Sequence, residues 1–381
     1  MSVKVSDKSF CSGCTACSSI CPKGCIKMQP DVLGFLYPVV DTEKCIECGL
    51  CENVCQFRSD YNRYDNYSRP RIYALRHSND AELLRSQSGG AFLALSECFL
   101  EEGGVVYGAA FDSSFRVVHK RAETREVRDQ MRYSKYVQSD MSGVYHKVRE
   151  DLGKQRKVMF TGTPCQVAGL RAYIGNGVLS KNLLTVDLIC HGVPSPEIWK
   201  DYLSYLERKN NSEISLALFR DKRKGWKSCH EYFRFADGTE EYRTTSNLLF
   251  FSHLSVRESC SQCPYTNYMR VGDITIGDFW NGYQNYERFT DNKGANVLFL
   301  NSTKGEEIFN KVKEVLYHIE ITEKDAWQEQ LSAPIELNTR REDFIRDYER
   351  HGFRYVGKKY ADLGIRHVIR RFLGGIKRRL S

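Results

Sequence analysis

Eight cysteines in two copies of one spacing constrain this chain more than any other feature. Cys11-x2-Cys14-x2-Cys17-x3-Cys21 recurs 34 residues later as Cys45-x2-Cys48-x2-Cys51-x3-Cys55. Thiolates at every third position wrap a short loop around one corner of an iron–sulfur cubane, and the fourth Cys of each run reaches the other cluster. On that rule one [4Fe-4S] cluster takes Cys11, Cys14, Cys17 and Cys55, and a second takes Cys45, Cys48, Cys51 and Cys21. Zinc knuckles use paired C-x2-C rather than triplets. Pro22 follows the first run, as the bacterial ferredoxin pattern has it, whereas Gln56 follows the second. Cys25 fits no ligand position and is expected to be a small buried residue. The repeat implies a pseudo-two-fold module in which FLYPVVD (35–41) is a short strand.

Nine of the fifteen cysteines lie in residues 1–55. This composition shift sets a ferredoxin-type module at 1–60. The polar, Tyr-rich stretch DYNRYDNYSRP makes 61–72 a linker. MSVKVSDKSF has no apolar segment of the kind a secretory signal needs, and no run of 18 apolar residues offers a membrane span. Cysteines in an unsecreted chain read as metal or redox groups in a reducing cytoplasm. The formal net charge is +8, and six of those charges are Arg366, Arg370, Arg371, Lys377, Arg378 and Arg379. The rest of the chain is nearly neutral, which argues against a nucleic-acid partner. Ile365, Val368, Ile369, Phe372 and Leu373 add an apolar stripe to the basic tail (351–381). Such a helix suits peripheral contact with an anionic membrane, here the inner membrane surface, or docking on its own domain.

From residue 72 onwards, helical and strand signals alternate, which argues for an open α/β sheet. Strands are expected at 105–111, 157–160, 183–189 and 273–280, helices at 91–103, 166–175 and 197–209, and a hairpin turning at Asp237–Gly238. Residues 300–350 read as helical. Ser88-Gly89-Gly90 opens the first helix, where backbone amides and the helix N-terminus favour a phosphate, although such glycines also serve as turns. Gly162-Thr163 and His191-Gly192 lie in the same place one strand later each. In open α/β sheets ligands lie at the carboxyl ends of the strands. Cys165 and Cys190 sit in two of these loops and Cys260-x2-Cys263 supplies another pair; the four thiols either hold a third [4Fe-4S] cluster or are core cysteines beside a zinc knuckle. Cys98 reads as core and Cys229 has no assignment. Lys135 offers a charge for a cofactor phosphate or for solvent. Asp187 and Asp278 offer a ribose or ring-nitrogen partner or a loop cap. His191 offers a proton to a substrate or a bond to the backbone.

These residues carry a resemblance. SQSGGAF (86–92), SKYVQS (134–139), FTGTPCQVAGL (160–170), DLICHG (187–192) and CPYTNYMRVGDITIGDFW (263–280) resemble the beta subunits of coenzyme F-420 hydrogenases and dehydrogenases. The resemblance spans roughly residues 5–285. It implies an α/β flavin-binding domain, here in two parts (73–155 and 156–350), with FAD and at least one [4Fe-4S] cluster. By that likeness Ser88, Gly89 and Gly90 line the FAD phosphates, Lys135 and Tyr136 lie over the flavin, and Thr161, Gly162 and Thr163 pass beneath it. Cys165, Cys190, Cys260 and Cys263 match the ligands of a flavin-side cluster. The expected activity is flavin-dependent oxidoreduction of a small-molecule substrate, with His191 or Lys135 delivering protons. Ferredoxin or a partner redox subunit exchanges the single electrons. The alternative is a non-catalytic relay subunit of a larger redox complex.

Overall fold

The computed structural model describes residue 3, residues 7–58 and residues 66–364. The apolar stripe and the six terminal cations named above lie outside the described residues. No helix among the described residues is long and apolar enough to cross a membrane.

The module consists of an antiparallel hairpin, β1 (Ile26–Pro30) and β2 (Leu36–Val40), and two short helices, Ala16–Ile20 and Leu50–Asn53. β1 has too little alternation to be legible in the sequence. The internal repeat is visible in the backbone: Gly13 and Thr15 in the first cysteine run, and Glu47 and Gly49 in the second, all adopt positive φ. These left-handed residues turn the chain around each cysteine triplet, and Thr15 and Glu47 do so without the freedom of glycine.

The main body is a three-layer α/β/α structure. Its strands are β3 (Arg71–His77), β4 (Val105–Phe111), β5 (Val117–Ala122), β6 (Val158–Gly162) and β7 (Leu183–Leu188), then β8 (Ile214–Leu218), β9 (Glu231–Phe235) and β10 (Glu240–Arg243), and finally β11 (Ile274–Asp278), β12 (Asn296–Leu300) and β13 (Leu316–Glu320). Eight of them form one sheet in the order β13-β3-β12-β11-β7-β6-β4-β5, and β10-β9-β8 form a separate antiparallel sheet. Both parts of the expected flavin-binding domain therefore contribute strands to one sheet. β4, β6, β7 and β11 are parallel neighbours, β3 runs in their direction between antiparallel β12 and β13, and β5 runs antiparallel at the other edge. β13 corrects the helical reading of 300–350: it is an edge strand with only Leu316 buried, so its alternation is weak beside the amphipathic helices around it. Helix Arg341–Tyr360 then runs through the start of the expected tail and buries Phe353 and Val356.

Alternation along the strands sorts the core. Val106, Met159 and Leu184 pack against helices Ala91–Glu101 and Thr303–Val312 on one face. Val105, Val158 and Leu183 pack against Val144–Gly153 and Pro164–Ile174 on the other.

The module is not tethered loosely. The tip of its hairpin inserts Leu33 and Phe35, each 1% exposed, into a main-body core with Ile198, Trp199 and Phe219. The Leu33 carbonyl accepts bonds from Ser195 Oγ (2.6 Å) and Glu197 N (3.2 Å). Leu33→Ala is expected to destabilise the whole chain by about 2–5 kcal/mol, measured by chemical denaturation. Loss confined to the module, with an unchanged main-body transition, would contradict this continuity.

Candidate functional site

The parallel strands β6, β7 and β11 all end at one edge of the sheet. There the loops after them, joined by the segment after β3, surround a cavity of about 420 Å³. Thr161, Gly162 and Thr163 come from the end of β6, His191 from the loop after β7, and Asp278 from the end of β11. Ser88 and Gly90 come from the turn that opens helix Ala91–Glu101, with Lys135 and Tyr136 from the segment after β5. Gly90 adopts φ +87 at the helix N-cap, which a side chain would strain.

Two expected residues are not brought to this wall. Gly89 packs against the sheet instead: a Cβ there would lie 2.5 Å from Asn296 N and Leu75 O. Asp187 is fully buried behind the cavity, 3.1 Å from Arg270 Nη2 and bonded by the Thr275 hydroxyl. Burial pushes its carboxyl upward against the pull of Arg270. The ion pair and that hydroxyl account for its charge without a ribose.

The cavity is cationic, and Arg132, Arg220 and His119 join the expected Lys135 in its lining. Lys135 is half-buried, and desolvation lowers its pKa to about 7, while its ammonium donates to the Gln130 carbonyl at 2.7 Å. Arg220 donates to Asp278 at 2.6 Å and to the Tyr136 hydroxyl at 3.2 Å, and its guanidinium lies over the Trp280 ring. His119, held neutral by burial with a pKa near 4, bonds the Thr161 carbonyl through Nε2 at 2.9 Å. His119 Nδ1, Arg132 Nε and Arg220 Nε are buried with no partner in the protein, and all three side chains line the cavity. Buried polar groups are normally satisfied, so the two arginine donors fit an anionic or carbonyl oxygen of a guest, while His119 Nδ1, an acceptor because Nε2 carries the proton, fits a donor on it. Lys222, outside the lining, donates to the carbonyls of Leu83, Ser86 and Ser88 and so ties down the turn that carries Ser88. Burial holds the His191 imidazole below its ordinary pKa.

The cysteines gather into three sets, each around its own cavity. Cys11, Cys14, Cys17 and Cys55 line one, and Cys21, Cys45, Cys48 and Cys51 line a second, with Cys25 beside them, its Sγ 3.3 Å from that of Cys21. Cys165, Cys190, Cys260 and Cys263 line the third. Residues 190–194 and 256–260 are laced together by a bridge between Pro194 and Val256 and by the Arg257 N–H bond to Val193 O. Gly192, at φ +99, lets the two loops close on each other. Among the described residues no three His, Cys, Asp or Glu come close enough to hold a single ion. Four cysteine sulfurs facing one cavity are the donor set that a [4Fe-4S] cluster uses.

Burial pushes these thiols up, Cys14 and Cys55 to about 11 and Cys260 to about 12, and it raises Cys190 well above the ordinary range, with its three neighbours adding repulsion. Such thiols stay protonated unless iron displaces the proton. Arg257, fully buried between two sets, donates to the Cys11 carbonyl at 2.7 Å and the Leu36 carbonyl at 2.9 Å. A Cβ on Gly13 would lie 2.8 Å from its Nη1, so this approach requires glycine.

The sets and the large cavity are contiguous. Ser12 and Phe57 border both the Cys11 set and the Cys165 set, while Cys190, Gly192 and Val193 border both the Cys165 set and the large cavity. Cys229, unassigned from the sequence, also lines the large cavity.

Residues 10–59 match the 4Fe-4S dicluster domain, and residues 155–325 match the C terminus of the coenzyme F420 hydrogenase/dehydrogenase beta subunit. No curated protein matches the chain. Among solved structures, a chain of the F420-reducing [NiFe] hydrogenase complex from Methanosarcina barkeri is 20% identical, with 78% of this chain and 92% of that chain covered and a TM-score of 0.46. The chain thus joins a segment that matches a 4Fe-4S dicluster domain to a main body whose residues 155–325 match the C terminus of the coenzyme F420 hydrogenase/dehydrogenase beta subunit.

Proposed function

We propose that the chain is an iron–sulfur flavoprotein oxidoreductase. It exchanges hydride with a small organic substrate at the large cavity and single electrons with ferredoxin or a partner redox subunit at the module. One observation carries this reading: the four-thiol set of Cys165, Cys190, Cys260 and Cys263 shares a wall with a cavity lined by side chains whose buried polar atoms lack partners. The likeness of residues 155–325 to F420 hydrogenase/dehydrogenase beta subunits supports it.

On this reading the cavity takes FAD, which supplies the conversion between two-electron and one-electron chemistry when bound. The chain's residues bind, orient and shield. Ser88, Gly90 and the N-terminus of helix Ala91–Glu101 hold phosphate, with Gly89 letting the turn lie close against the sheet. Thr161 to Thr163 form the floor, and Tyr136 covers the opposite side. Asp278, fixed by Arg220, orients a ring edge. His191, next to Cys190, and Lys135 handle the proton. Cys165, Cys190, Cys260 and Cys263 ligate the third [4Fe-4S] cluster.

Lys135 makes the reading testable by pH. Its folded pKa, about 7, lies below its ordinary 10.5. A depressed cation costs stability in the charged state. The flavin-free protein therefore gains stability as pH rises from about 7 towards 10.5. Phosphate prefers the charged lysine, so FAD affinity moves the opposite way and weakens as pH rises through about 7. Flavin fluorescence titration should show this step in the native chain. Lys135→Met should bind more weakly throughout and show no step. A failure of FAD to bind at any pH would remove the flavoprotein reading.

A further inference from the structure

Gln56 stands where the second ferredoxin run departs from its pattern. The residue after the fourth Cys is ordinarily Pro, and in the first run Pro22 sits there, exposed. Gln56 is 1% exposed and lies at the seam between module and main body. Its Nε2 donates to Ser12 Oγ at 2.8 Å and to the Cys165 carbonyl at 3.0 Å, and its Oε1 accepts from the Tyr265 hydroxyl at 2.5 Å. Each of these three partners bears on a cysteine set. Ser12 follows Cys11, Tyr265 lies two residues past Cys263, and Cys165 belongs to the main-body set. Gln56 itself follows Cys55. Proline at this position could make none of the three side-chain bonds.

We propose that Gln56 is the positioning residue for electron passage between the module and the main body. It fixes the Cys11, Cys14, Cys17 and Cys55 set against the Cys165, Cys190, Cys260 and Cys263 set. It also supplies a continuous link between them, from Cys55 through the Gln56 side chain to the Cys165 carbonyl. The step is one electron: the module cluster is oxidised, the main-body cluster is reduced, and no bond forms or breaks. The electron comes from an external one-electron donor. This inference rests on the proposed function, because it needs a cluster in the main-body set.

The direction of specialisation is physical. The two runs are related by the internal repeat, but their ends face different surroundings. One end faces solvent, where a rigid Pro suffices. The other meets buried backbone and hydroxyl groups that must be satisfied. A side-chain amide, with two donors and one acceptor, meets all three.

The test uses the full chain purified anaerobically, as Gln56→Pro, Gln56→Leu and Tyr265→Phe. Iron is counted first. Each protein is then mixed with titanium(III) citrate, and the signals of module and main-body clusters are followed by freeze-quench electron paramagnetic resonance. All three variants are expected to retain the native iron content. In the two Gln56 variants, reduction of the main-body cluster is expected to slow on the order of tenfold, equivalent to about 1.4 kcal/mol, with module reduction unchanged. Tyr265→Phe, which removes one anchor, should fall between. The spin–spin splitting between the two cluster types should broaden in the Gln56 variants as their separation loosens. A merely structural amide would alter unfolding without altering the ratio of the two rates. Full iron with an unchanged ratio in all three variants overturns the inference alone. A wild-type chain with only about eight irons overturns the proposed main-body cluster, and this inference with it.

Discussion

Anaerobically purified protein is expected to carry about twelve irons, with matching sulfide, and Cys190→Ser to carry about eight. The size of this effect follows from where Cys190 lies. It faces Cys165, Cys260 and Cys263 around one cavity, and their combined repulsion, added to burial, pushes its thiol well above the ordinary range. Iron is the natural counter-charge for four such thiols. Serine replaces a soft thiolate with a hard oxygen that iron–sulfur chemistry accepts poorly. Loss of the whole cubane is therefore expected, not of one iron. Because Cys190 and Gly192 also wall the large cavity, the variant should bind FAD more weakly. Iron near eight in both proteins would confine the clusters to residues 10–59 and favour a relay subunit. Iron is the primary readout, and flavin retention in the variant separates collapse of the loop from simple loss of a ligand.

The second large effect is expected from Arg270→Met. Arg270 and Asp187 form an ion pair with side chains 1% and 0% exposed. Arg270 also donates to the Leu188 carbonyl at 2.8 Å and to the Tyr265 carbonyl, and so joins the end of β7 to the loop that follows Cys263. Removing it leaves Asp187 charged and uncompensated in the interior, which costs about 3–5 kcal/mol. That is a large share of the stability of most domains. Denaturant titration should show the loss. Asp187→Asn in the same background should recover part of it, since the stranded charge is then gone. A native-like midpoint for Arg270→Met would mean that the pair is not the element holding these loops.

The two module sets were legible because all their ligands fall within 45 residues at invariant spacing, and the spacing itself carries the geometry. The main-body set was harder. Its cysteines span residues 165–263, and only parallel neighbourhood of β6 and β7, together with the Cys260-x2-Cys263 pair, hinted that they meet. Glycine-rich turns at strand ends were readable by position, hence Ser88, Gly90 and Thr161 to Thr163 at the cavity. Isolated cations were not. Arg220 and Arg257 occur in no pattern, and Arg270, although inside the 263–280 motif, carries no readable role there; Asp187 and Arg270 are separated by 83 residues. That separation is why Asp187 read as a cofactor partner. His119 was missed for the same reason, lying on β5 with the cavity assembled from other strands. Gln56 was visible as a departure from the ferredoxin pattern, but its meaning depended on the main body packing against it.

The hairpin tip has a consequence for biogenesis. Leu33 and Phe35 belong to a core completed by Phe219, Phe344 and Phe353. The hairpin tip leaves the ribosome well before Phe344 and Phe353, which complete the core it enters. During that interval the module's thiols stand apart from the main body, open to iron–sulfur delivery, and the two apolar residues remain exposed. Once Arg341–Tyr360 arrives, Leu33 and Phe35 are buried and the module is held against the main body. Cluster loading before that point meets a module still free of the main body, and loading after it meets one already docked.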